Sequence, residues 1–202
     1  MLEFLNHLFG CICGQNPDHT WSPGGALLPL CQRCMGLYVG AFVAAALHLA
    51  LRPVPTNRWL WLNGGFLLFM VPFGFHWLPQ GAVLRTITGV LFGFGLVAFL
   101  SLTLRSRRRE EADFLSSQKI RLVTSAATIS FWFTLPATLA LVPWLGANGN
   151  AFAADSLKLS AALGAFMLSA LALANVALAM RGLIRWARQI KPSTPEQQVA
   201  KF

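Results

Sequence analysis

The residues best suited to chemistry are four cysteines: Cys11, Cys13, Cys31 and Cys34. No cysteine follows them, although Cys is a comfortable residue inside a membrane or a core. Their spacing is C-x-C, seventeen residues, then C-x2-C. That approaches the zinc-ribbon spacing of two C-x2-C pairs about 15 to 20 residues apart. The first pair is one residue shorter, and chelation by C-x-C is geometrically tighter. His19 lies between the pairs, His7 just before them, and His76 far along the chain. Tetrahedral zinc would be satisfied by Cys13, Cys31 and Cys34 with one His. The stretch from Gln15 to Leu30 holds Pro17, Pro23, Gly24, Gly25 and Pro29, so it cannot build its own core and needs a staple.

Redox chemistry is the alternative. Cys31 and Cys34 precede or open a helix, whose N-terminal dipole lowers a thiol pKa, and Arg33 between them adds to this. Two disulfides, or a thiol oxidase passing electrons to quinone, would use the same parts. A third reading is a carrier or sensor of a soft metal.

The elements that must position these residues follow from composition. The chain has 202 residues, 55% hydrophobic and only 11% charged. A soluble domain carries about 25% charged residues. Five stretches reach the roughly 20 apolar residues of a membrane helix. They run from about Cys34 to Leu51, Trp59 to Leu78, Thr86 to Leu104, Leu122 to Leu145 and Leu159 to Ile184. The expected fold is all-α, a polytopic membrane helical bundle of about five transmembrane helices. Met1 to Gly10 lacks a basic n-region and reads as a short amphipathic surface helix, not a signal peptide.

The net charge of +9 is a topology signal. Short cytoplasmic loops collect Lys and Arg. The third span is followed by Arg105, Arg107, Arg108, Arg109, Lys119 and Arg121. Placing these topology anchors inside also places Arg52, Arg58 and the basic tail inside, thirteen of the sixteen basic residues. Only Arg33, Arg85 and Lys158 fall outside. The N-terminus is therefore expected out and the C-terminus in. The chain divides into an extracytoplasmic Cys-rich segment (1–33), three helices (34–104), a basic cytoplasmic loop (105–121), two helices (122–184) and a cytoplasmic tail (185–202). Basic residues at helix ends meet lipid headgroups, so nucleic acid is not an expected partner. The expected location is the plasma (inner) membrane, where the cysteines face the oxidising side.

Read together, Cys13-Gly14-Gln15-Asn16-Pro17 and Leu28-Pro29-Leu30-Cys31-Gln32-Arg33-Cys34-Met35-Gly36-Leu37-Tyr38-Val39-Gly40 look like a known pattern. They resemble the uncharacterised bacterial and archaeal membrane-protein family called domain of unknown function 2085. Its signature is roughly C-H-Q-x-P-x-R-S, then L-P-x-C-x-R-C-x-G-x-Y-x-G. The second half matches at every signature position. Leu84-Arg85-Thr86-Ile87-Thr88-Gly89 and Gly93 look like the start of a later family helix. The resemblance covers about Cys13 to Leu104. Gly14 stands where the family has His, and His19 where it has Arg. The family's Asp-Gly is replaced by Gly74-Phe75-His76-Trp77. If the family site holds a metal through Cys, His and the Cys pair, this chain needs His19, His76 or Cys11 instead. The resemblance implies a fold and a site but no reaction.

Within the spans, Gly36 with Gly40 and Gly89 with Gly93 form small-x3-small faces for close helix packing, internally or with a partner. Tyr38 and the seven tryptophans are expected as interfacial anchors. His48 reads as a bonded packing residue, with a pigment or haem ligand as the alternative. Asn63 and Asn175 are expected to bond between helices, and Pro72 and Pro136 to kink theirs. No carboxylate lies inside a span, which argues against a proton-coupled transporter. No P-loop, dinucleotide motif or G-x-S-x-G occurs. The expected function is a non-catalytic membrane subunit or accessory protein with a structural, zinc-bound Cys/His site, lipid and other membrane subunits being its partners.

Overall fold

The computed structural model describes residues 7, 9–51, 56–75, 77–112 and 117–189, without the side chains of 103–127, 188 and 189. Five α-helices follow an N-terminal segment: α1 (Gln32–Leu51), α2 (Asn57–Gly74), α3 (Ala82–Ala112), α4 (Ser117–Asn148) and α5 (Ala151–Gln189). The described residues contain no strand, only one isolated bridge between Thr20 and Cys31. The protein is an all-α bundle. Four stretches are long and apolar enough to cross a membrane: Gln32–Leu51, Ala82–Leu102, Thr128–Asn148 and Ala151–Ala187. The sequence suggests a fifth in α2. That helix opens with Asn57 and Arg58, carries Asn63 and ends at Gly74, so its polar positions keep it out of that set.

Several helix ends differ from the sequence reading. α3 does not stop at the basic run beginning with Arg105 but continues to Ala112. Arg and Glu are good helix formers, so charge marks the end of an apolar stretch without ending the helix. Within the expected loop at 105–121, residues 105–112 and 117–121 are therefore helical. Helical hydrogen bonding also continues past Pro72 in α2 and past Pro136 and Pro143 in α4. Caps fix two starts. Thr56 Oγ1 accepts from the Trp59 N–H at 3.3 Å, and Asn150 Oδ1 from the Ala153 N–H at 3.1 Å.

The tightest packing is between α1 and α3, and glycines set its distance. A Cβ at Gly36 would run into the Thr86 carbonyl, and one at Gly89 into that of Arg33. One turn further on, Gly40 faces Val90 and Gly93 faces the Leu37 carbonyl. Backbone thus meets backbone along both small-residue faces, inside one chain. α5 joins the same way, with Gly164 against the Tyr38 carbonyl. Polar groups add ties at the far end. Asn175 Nδ2 donates to the Leu100 carbonyl of α3 at 2.8 Å. Asn63 does not bond between helices as expected: its Nδ2 donates to Trp59 O in its own helix, and its buried Oδ1 has no partner. Ser101 Oγ donates to the Ala98 carbonyl, which leaves it to accept from His48 Nδ1 at 2.8 Å. The Trp59 ring lies 5.4 Å from the imidazole, so His48 is a bonded packing residue.

Candidate metal centre

The site is built where the N-terminal segment meets the start of α1. The Phe9 carbonyl accepts from the N–H groups of Ile12 and Cys13, at 3.0 and 2.9 Å. This turn sends Phe9 and Cys13 inward and leaves Cys11 and Ile12 exposed. Residues 1–6 and 8 of the expected surface helix lie outside the described residues. Phe9, the best-placed apolar residue in that stretch, is fully buried beneath the segment and does not face lipid. It shares a core with Cys13, Leu28, Leu30, Met35 and Val39 of the first part of the chain and with Val142, Leu157 and Ala161 of α4 and α5.

The loop between the cysteine pairs is held by its own polar groups. Asn16 Oδ1 accepts from the Asp18 N–H at 3.0 Å, opening a short 3-10 turn at Pro17–His19. Gln15 Nε2 donates to the Pro29 carbonyl at 2.9 Å, drawing the loop ends together. The Leu28 N–H donates to Trp21 O at 2.9 Å, and Thr20 bridges to Cys31. Gly24 sits at φ +65, a left-handed conformation glycine adopts at no steric cost, and its Cα lies close against the Ala151 backbone.

Trp21 is the main anchor. Its indole Nε1–H donates to Thr86 Oγ1 of α3 at 2.9 Å, and its ring fills the space left by Gly146 of α4. The segment therefore rests on α1, α3, α4 and α5. The sequence reading places it over the first three spans. α2 is reached instead through α1: Arg33 donates through one Nη to both the Phe73 carbonyl (3.0 Å) and Gln80 Oε1 (2.7 Å).

Cys13, Cys31 and Cys34 meet at this junction. Their three sulfur atoms all lie within 4.8 Å of one another. Cys13 is buried, and Cys31 and Cys34 are half-buried. The Cys31 N–H donates to Cys13 Sγ at 3.3 Å. Cys31 is held well below the usual thiol range, at about 5. The hydrogen bond from the Cys34 thiol is the largest cause, aided by the Cys34 N–H, the Cys13 thiol and the Arg33 N–H, while burial opposes it. The other sequence candidates are placed differently. Cys11 is exposed, its thiol donating to the His7 carbonyl at 3.5 Å. His19 ends the 3-10 turn, half-exposed and outside the sulfur group. His76 lies outside the described residues, as do the side chains of Arg105, Arg107, Arg108 and Arg109.

Three convergent thiols in a half-buried pocket suit a soft or borderline metal. Zinc–sulfur bonds of about 2.3 Å at the tetrahedral angle set sulfurs about 3.8 Å apart, a spacing the cluster can adopt with small side-chain shifts. A disulfide would use two of the three and leave the third without a role. Sequence reasoning missed Trp21 and Gly146, which seat the loop, and Gly164, which seats α5 on α1. Gly164 had a legible signal in the small residues Ala161, Ala162 and Ala165 around it. Trp21 had none, since a lone Trp in a Pro/Gly loop also reads as an interfacial anchor.

A helical membrane bundle with a three-cysteine cluster at one end is the class of protein this fold and site define. The chain belongs to the family described as "Predicted membrane protein (DUF2085)", whose model matches residues 13–99. That match covers the cysteine cluster, α1, α2 and the first part of α3, and leaves out all of α4 and α5. The chain is similar to a protein of the archaeon Methanothermobacter thermautotrophicus described as "Uncharacterized protein". The two are 37% identical over 95 residues, 44% of this chain and 83% of that protein. No solved structure matches the chain significantly.

Proposed function

We propose that the protein is a non-catalytic membrane subunit or accessory protein whose cysteine cluster holds a structural zinc ion. The observation that carries this reading is the convergence of three sulfurs from two chain segments within 4.8 Å. Cys13 comes from the loop, and Cys31 and Cys34 from the start of α1. A metal bound by all three ties the Pro/Gly-rich segment to the start of α1. The family likeness supports a membrane protein with this site and adds no reaction. Of the sequence candidates for a fourth ligand, Cys11 is turned out and His19 is outside the sulfur group, and His76, which lies outside the described residues, is the one we propose.

The distribution of basic residues supports an orientation with the N-terminus and the cysteines outside, 105–121 and the tail inside, in a plasma (inner) membrane. α5 supports a partner role: only 6% of its apolar stretch is buried within the chain, so lipid or another subunit must cover the rest.

The test is metal analysis of the purified full-length protein with thiol counting before and after reduction. About one zinc per chain and no disulfide is the expected result. A reversible Cys31–Cys34 disulfide without metal would establish the thiol–disulfide oxidoreductase reading instead. Metal that can be removed with the fold intact would establish a soft-metal carrier.

A further inference from the structure

The end of the bundle that carries the cysteines also carries two arginines on contacting turns of α1 and α3. Arg33 packs its backbone against Gly89, and Arg85 lies one turn before that glycine. Both side chains are half-buried. Arg33 is turned inward. One Nη is fixed by the Phe73 carbonyl and Gln80 Oε1, its Nε is buried without a partner, and Gln80 is itself held by its Nε2 donating to Phe73 O at 2.6 Å. Arg85 reaches only Gln32 Oε1, at a long 3.5 Å, and Gln32 is buried.

Among the described residues neither guanidinium has a carboxylate partner. The one ion pair among the described residues is Lys158 with Asp155. Asp18, the other acid whose side chain is described, is exposed in the 3-10 turn. A zinc ion with three thiolates and a neutral imidazole carries one net negative charge, enough to balance one arginine. Against the described residues the pair is left positive with or without that centre, and the buried Arg33 Nε–H lacks an acceptor. Arginine's planar fork suits an anion with several oxygens in fixed geometry. The turn joining α2 and α3 shows the depth at which such an anion is met. Phe75 and Trp77, 69% and 70% exposed, stack at 5.6 Å beside Gln80. Exposed tryptophans of membrane proteins sit at headgroup level.

We propose that Arg33 and Arg85 form a site for one phosphate group, carried by a membrane phospholipid or present as the free anion. Arg85 supplies the freer fork, and Arg33, tied through one Nη to Phe73 O and Gln80 Oε1, the more fixed one. Basic residues that merely snorkel, such as the exposed Arg58 at the opposite end, lack this arrangement.

Native mass spectrometry of the full-length protein in neutral detergent tests it, with short-chain phosphatidylglycerol and inorganic phosphate as probes. One phosphatidylglycerol should bind saturably, weakened about tenfold or more by Arg85→Gln and unchanged by Arg58→Gln. Arg33→Gln should do the same and Arg33→Lys less. If Arg33→Gln fails to fold, Arg85→Gln decides alone, with zinc content reporting that the site beside it is intact. Competition by inorganic phosphate identifies a free-anion site, and its absence a headgroup site. The proposal is overturned if neither probe binds saturably, or if Arg85→Gln binds as tightly as the unaltered chain.

Discussion

The backbone N–H of Cys31 donates to the sulfur of Cys13 at 3.3 Å, across eighteen positions of sequence. That bond joins the Pro/Gly-rich loop to the start of the first helix. It also sets Cys13 against the Cys31–Cys34 pair, so the loop's fold and the sulfur cluster depend on each other. Replacing Cys13 with Ser should therefore lower metal content and free the segment together. Limited proteolysis between Gln15 and Leu30 should become faster in Cys13→Ser and stay slow in Cys11→Ser.

The fourth ligand can be read from single substitutions. Cys11→Ser and His19→Ala should leave zinc content unchanged, because neither side chain joins the sulfur group. His76→Ala should lose most of it. Retained zinc in His76→Ala with loss in His19→Ala would reverse that assignment.

Cys11 also reports orientation. It is exposed on the segment at the cysteine-bearing end. A membrane-impermeant maleimide should label it in intact cells, with little further labelling after lysis. Labelling that requires lysis would put the cysteines inside and invert the thirteen-to-three charge argument.

Much of this architecture is legible in the sequence because it rests on periodicity and composition. Apolar length marks four spans, their ends differing by up to eight residues from the observed stretches. The small-residue pairs Gly36–Gly40 and Gly89–Gly93 announce close approach, though not that α1 and α3 are the two helices that meet. The cysteine spacing brings Cys13, Cys31 and Cys34 forward as a set. What it cannot supply is direction. In C-x-C, either cysteine can turn inward, and the choice of Cys13 follows from the Phe9 turn and the burial of Phe9. The seat of the segment on α4 and α5 is equally hidden. It depends on a Trp21 ring meeting Gly146, a pair with no sequence pattern linking them.

The glycine contacts predict steep steric costs. Gly36→Val and Gly89→Val each place a branched side chain against a carbonyl of the facing helix. Overpacking typically costs about 1–3 kcal/mol, and here backbone rather than a pliant side chain must move, so loss at the upper end or failure to fold is expected. Thermal unfolding in detergent should show it. Gly65→Val, where nothing lies within 4 Å, is the matched control.

The thiol environment predicts a pH profile for the metal-free protein. The Cys31 value near 5 lies below the usual thiol range of about 8.5, so the thiolate is the major form above pH 5. Alkylation of Cys31, followed by peptide mass mapping, should keep a level rate from pH 8 down to about 6 and fall below about 5. A rate that drops about tenfold per pH unit from 8 downward would show an ordinary thiol.

The most direct measurement of the central claim is X-ray absorption at the zinc edge of the purified, metal-loaded protein. Three sulfur ligands at about 2.3 Å and one lighter ligand are expected, with the sulfur count falling in Cys34→Ser. Zinc bound by nitrogen and oxygen alone, or a protein that binds no zinc while Cys31 and Cys34 share a disulfide, would contradict it.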